Sequence, residues 1–68
     1  MRDYRCYFLN VNDRIDEVME LDCVCDNEAE IAAIRLLVER PYHHAVEVWQ
    51  GRRCVSRHPK ASAVTISN

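Results

Sequence analysis

Residues 4–11, Tyr-Arg-Cys-Tyr-Phe-Leu-Asn-Val, concentrate strand formers, and Asn12, Asp13 and Arg14 follow with turn chemistry. Residues 15–25 then split by parity. One parity holds Ile15, Glu17, Met19, Leu21, Cys23 and Cys25, apolar everywhere except Glu17; the other holds the acidic Asp16, Glu20 and Asp22 among Val18 and Val24. That alternation is the signature of a half-buried strand, so the two segments are expected to pair as a hairpin. Two registers remain open. A two-residue loop at Asn12-Asp13 sets Cys6 opposite Met19, puts Tyr4, Cys6 and Phe8 on the core face, and pairs Arg5 with Glu20 outside. A three-residue loop sets Tyr7 opposite Met19 and turns Tyr7, Leu9 and Val11 inward. A one-residue slip exchanges the two sets.

From Asp26 the period changes. Residues 28–40 are good helix formers, and Pro41 stops the run. Asn27 followed by Glu30 approximates a capping box, and the acids suit the positive end of the helix dipole. Ala29, Ala32, Ala33, Leu36 and Leu37 make one apolar stripe, and Ile31, Ile34 and Val38 make a second beside it. A helix covering one sheet needs only the first. Residues 45–49, Ala-Val-Glu-Val-Trp, read as a third strand, Gln50-Gly51 as a turn and residues 52–57 as a fourth strand. That turn sets Val46 opposite Val55 and Trp49 opposite Arg52, with Val46, Val48 and Val55 inward. Residues 59–68 are expected to be a flexible tail, with an added edge strand at Val64-Thr65-Ile66 as the alternative.

The order strand, strand, helix, strand, strand predicts an α+β two-layer domain over residues 1–58. Its four strands form an antiparallel sheet in the order 2-1-3-4, with the helix on one face. The other face is left without a cover.

Composition narrows the class. The 68 residues are 49% hydrophobic and 29% charged, which excludes disorder and allows one domain. A core of this size is marginal, and small folds often recruit a partner or a metal. No apolar run approaches the ~20 residues of a membrane span, and the start leads into no signal-peptide core, so a cytoplasmic protein is expected. The net charge of −2 conceals −6 over residues 1–30 and +4 over residues 31–68. The acidic half argues against a general nucleic-acid binder.

The candidate chemistry is thin. Cys6, Cys23, Cys25 and Cys54 lack the paired knuckles of a zinc site and sit in apolar strands, where free Cys behaves as a small hydrophobe. Neither metal nor cofactor is expected. His43 and His44 read as exposed loop histidines, because no nucleophile or phosphate-binding loop accompanies them. A chain with one Gly cannot build a Gly-rich phosphate loop. Trp49 with Arg52, Arg53 and Arg57 offers an aromatic platform beside cations, the raw material of single-stranded nucleic-acid binding. The same charges also serve to protect an edge strand from aggregation.

The run Tyr7-Phe8-Leu9-Asn10-Val11, the acidic strand ending Glu20-Leu21-Asp22, the Glu28-Ala29-Glu30 helix start and Ala45-Val46-Glu47-Val48 resemble a family of very short alphaproteobacterial proteins of unknown function. The resemblance spans roughly residues 4–57 and implies the same strand-strand-helix-strand-strand order. The cysteines and the Gln50-Gly51 turn depart from the family pattern, and Asn12-Asp13 stands where the family has Asp-Gly. The family brings no activity.

Excess apolar surface therefore leads the functional reading. The chain is expected to be a non-enzymatic protein that associates with a second copy or with another protein, through Ile31, Ile34 and Val38 on the helix and Trp49 on the sheet. Weak single-stranded nucleic-acid binding through Trp49, Arg52, Arg53 and Arg57 is the alternative.

Overall fold

The structure, a computed structural model, describes residues 2–40 and 42–60. Strands β1 (Arg2–Leu9) and β2 (Ile15–Cys23) precede helix α1 (Asp26–Val38), and β3 (Ala45–Gln50) and β4 (Arg53–Pro59) follow it. The strands form one antiparallel sheet in the order β2-β1-β3-β4. The expected α+β arrangement is therefore the observed one.

The first hairpin follows the register with Cys6 opposite Met19 and Arg5 opposite Glu20. Its loop is longer than either alternative. Asn10 closes it by accepting from the backbone N–H groups of Asn12 (2.8 Å) and Arg14 (3.2 Å) through Oδ1, an Asx-type turn. Asp13 takes the left-handed conformation at φ 60°. The extra loop residues are absorbed by a bulge: Phe8 faces Glu17 but Leu9 faces Ile15, leaving Asp16 without a partner on β1. Tyr4, Cys6 and Phe8 thereby point to the helix, and Asp3, Arg5 and Tyr7 to the open face.

The helix begins earlier than its propensity suggests and is capped differently. Cys25 is the N-cap and gives no side-chain cap; the Glu28 carboxylate instead accepts from the Val24 N–H at 3.2 Å. Asn27 lies inside the first turn, so the Asn27–Glu30 capping box does not form. The last regular residue is Val38, and the Arg40 N–H closes a tighter turn onto the Leu37 carbonyl. Ala29, Ala33 and Leu37 are the helix residues buried against the sheet. Their small volume brings the helix close over Tyr4, Cys6, Phe8, Val46 and Val48, all fully buried in the same cluster.

The second hairpin corrects the expected register. Its turn is Gly51-Arg52, with Gln50 opposite Arg53 and Gly51 at φ +59°, where the missing Cβ removes the strain. Trp49 faces Cys54, not Arg52, and a bulge at Val55 lets Val48 face Ser56. The expected inward set survives, because Val46 and Val48 are buried and Val55 packs against them. The fourth strand runs to Pro59, and the Lys60 N–H bonds the His44 carbonyl at 2.7 Å. Residues 61–68, including Val64-Thr65-Ile66, lie outside the described residues.

Candidate functional site

The sheet buries one face against the helix. On the other, Leu9 and Ala45 at one end are buried, Tyr7, Glu47 and Trp49 are half-buried, and Asp3, Arg5, Val18, Glu20 and Asp22 are exposed. On the open face Tyr7 is the register partner of both Val18 and Glu47, and Arg5 is the partner of both Glu20 and Trp49. A shallow apolar depression of about 320 Å³ lies among Tyr7, Ile15, Glu47 and Trp49. Trp49 is half-buried there, its indole N–H donating to Glu47 Oε1 at 3.1 Å. Ile15 and Val18 are exposed beside it.

The rim is largely self-neutralised. Arg5 lies 3.8 Å from Glu20, and Arg57 bridges Glu47 (3.1 Å) and Asp13 (3.2 Å). One corner is not. Asp3 and Asp22 are direct register partners and line a cleft of about 640 Å³ with Arg5, Tyr7, Glu20 and Gly51. Like charges placed directly opposite are destabilising. Hydrogen bonding to Asp3, reinforced by its negative charge, raises the Asp22 pKa.

The residues expected to mediate association do not form one patch. Ile31 and Val38 are 50% and 49% exposed on the outer side of the helix, with Ile34 half-buried beside them. Trp49 sits on the opposite side of the molecule, on the open sheet face. The nucleic-acid set is also divided. Arg53 turns under the helix N-terminus, where its guanidinium holds Asp26 through two hydrogen bonds of 3.0 and 2.9 Å. Arg57 is committed to Glu47 and Asp13. Arg52 is exposed in the turn and makes no ion pair among the described residues.

Sequence reasoning missed one cluster. His43, expected in solvent, is 3% exposed. Its ring stacks on Phe8 at 5.1 Å, Tyr42 packs edge-on against it at 4.6 Å, and Nε2 meets Glu17 Oε1 at 2.9 Å. Arg40 donates to the same carboxylate at 3.2 Å and lies over the Phe8 ring. These bonds, that of His43 first, hold the Glu17 pKa below its ordinary value. The sequence signal was the one acid in an otherwise apolar parity: Glu17 points inward because a histidine and an arginine meet it there. Nδ1 of His43 is buried without a hydrogen-bond partner, 3.9 Å from Asp16 Oδ2. Neither cleft of the open face is lined by this imidazole. The cluster therefore acts as a structural clasp between the bulge of β2 and the connection that follows α1. His44 is exposed, as expected.

All four cysteines are free; Cys6 and Cys23 are buried, Cys25 and Cys54 exposed. Among the described residues no group of three or more His, Cys, Asp or Glu is placed to hold a metal ion, and no helix is long and apolar enough to cross a membrane. No protein-family model, curated protein or solved structure matches this chain.

Proposed function

We propose that this chain is a non-enzymatic protein that acts by protein–protein association, with a second copy of itself as the partner. One observation carries the reading. Among the described residues the four-stranded sheet has a helix on one face only, and the other face carries the half-buried Tyr7 and Trp49 with the exposed Ile15 and Val18. A domain this small gains stability by covering such a face. Closed two-fold dimers are the commonest way soluble proteins do so. The outer helix residues Ile31, Ile34 and Val38 offer a second, narrower apolar strip.

The single-stranded nucleic-acid reading has less support, because Arg53 and Arg57 already answer carboxylates of the same chain. Sedimentation equilibrium across micromolar concentrations tests the association. A dimer mass that dissociates on dilution is expected. A monomer mass at every concentration up to roughly 100 μM, a dissociation constant above about 0.1 mM, overturns it.

A further inference from the structure

The open face carries its own docking instructions. Within one copy the rim charges pair off as Arg5–Glu20 and as Arg57 with Glu47 and Asp13. Asp3 and Asp22 on the β1–β2 side of this face, and Arg52 in the exposed turn between β3 and β4, have no ion-pair partner among the described residues. They lie at the same end of the sheet, since Gly51, the neighbour of Arg52, lines the cleft that holds both aspartates. They lie on opposite sides of the sheet's midline, which runs between β1 and β3. Arg53 turns to the helix side, toward Asp26, and Arg52 is exposed at the tip of the turn.

We infer that two copies pack by their open sheet faces about a two-fold axis running along the strands between β1 and β3, so that Arg52 of each copy meets the Asp3–Asp22 pair of the other. This rests on the association proposed above and adds its face, orientation and key ion pairs. The alternatives are distinguished by charge. A two-fold axis across the strands keeps β2 over β2 and carries the aspartate corner to the far end, away from Arg52. The axis along the strands exchanges the acidic edge strand for the one that bears the arginines, and keeps the ends in step. It also carries Trp49 of one copy over the position of Arg5 in the other, because those two are register partners across the midline. An arginine over an indole face is itself attractive.

Area agrees with this choice. The broad side of the molecule measures 31 × 27 Å against a thickness of 16 Å, enough for the ~800 Å² that each partner of a standard interface buries. The single strip Ile31–Ile34–Val38 is much narrower. Sheets stacked this way keep their strands nearly aligned, the common sandwich geometry. A guanidinium between Asp3 and Asp22 would relieve the like-charge pairing that the isolated chain carries.

Charge reversal tests the pairing. Arg52→Glu and Asp22→Arg are each expected to raise the dimer dissociation constant about tenfold or more, since both symmetric pairs become repulsive. Mixing the two variants restores dimerisation as a heterodimer, in which Glu at 52 meets Arg at 22 and Arg52 meets Asp22. Native mass spectrometry reads the mixed species by mass. Both substitutions are in exposed positions, and circular dichroism matching the wild type shows that the fold is kept. Arg52→Gln, which removes the charge without reversing it, is expected to weaken the dimer about threefold. A wild-type dimer whose constant is unchanged in all three variants overturns the inferred face and orientation but leaves association standing. Weakening by Ile31→Asp alone has the same meaning and moves the interface to the helix. A monomeric wild type removes both.

Discussion

Nε2 of His43 lies 2.9 Å from Oε1 of Glu17, inside the protein, although the two residues are 26 positions apart. The bond ties the bulged start of β2 to the segment entering β3, and Arg40 reinforces it from the end of the helix. The Glu17 carboxyl titrates below its ordinary value of 4.5 in the folded state. A depressed carboxyl contributes stability above its unfolded pKa and loses it as the pH falls through the folded one. Glu17→Gln is therefore expected to melt at a lower temperature than wild type at pH 7, with the difference shrinking as the pH drops below about 4.5. A difference that stays constant from pH 7 to 3 contradicts the clasp. His43→Ala removes the stacked ring as well and is expected to cost about 2 kcal/mol.

Tyr4 and Arg53 converge on Asp26. The Tyr4 hydroxyl donates to Asp26 Oδ1 at 2.7 Å, and Arg53 supplies two further bonds. Arg53 first and Tyr4 second lower the Asp26 pKa from 3.8 to about 2. Its stabilising effect is complete above pH 3.8 and is lost as the pH falls toward 2. Asp26→Asn should therefore flatten the acid limb of the stability curve in that window, measured as the denaturant midpoint against pH. Tyr4→Phe keeps the ring in the core and removes one bond, for an expected loss of about 5 °C in Tm.

The two apolar stripes of the helix have different energetic weight. Leu37 is fully buried and Ile31 half-exposed. Leu37→Ala is expected to cost about 3 kcal/mol, a large share of the roughly 3–10 kcal/mol available to a domain of this length. Ile31→Ala is expected to change stability by less than ~0.5 kcal/mol. Urea unfolding of both variants, at a concentration where the chain is monomeric, makes the comparison. Equal losses would mean that the helix is rotated from the orientation described.

The thiols sort by depth. Burial, with the nearby Cys23, pushes the Cys6 thiol up to about 11, and burial also raises Cys23. Cys25 and Cys54 are exposed. Brief iodoacetamide treatment at neutral pH is expected to label Cys25 and Cys54 in the native protein and all four in denaturant, because the thiolate is the reacting form. Peptide mapping decides it. Native labelling of Cys6 at a comparable rate would mean that β1 opens locally.

The alternation of residues 15–23, the helical run closed by Pro41 and the strand content around Gly51 determined the elements, their order and the sheet topology. These signals are local: each reflects the period of one segment, and short connections restrict how neighbours can pair. The inward identity of Val46 and Val48 was legible for the same reason, even though the expected register of that hairpin was wrong.

The hairpin registers, both bulges, the position of the helix cap and the burial of His43 were decided by the tertiary structure. Each depends on a specific contact that the periodicity of a segment does not report. Some of these are local, as Asn10 with Arg14 and Val24 with Glu28, and others long-range, as His43 with Glu17. Asn10 could choose the loop only with Arg14 brought back to it, Val55 bulges where it packs against the core, and His43 leaves water because Phe8 and Glu17 await it. Periodicity reports which side of a strand is apolar, whereas register and polar burial are set by specific pairwise contacts. The division of the interaction residues had the same origin. Ile31 and Trp49 are both partly exposed apolar residues in the sequence, and only the packing of the helix over one sheet face sends them to opposite sides of the molecule.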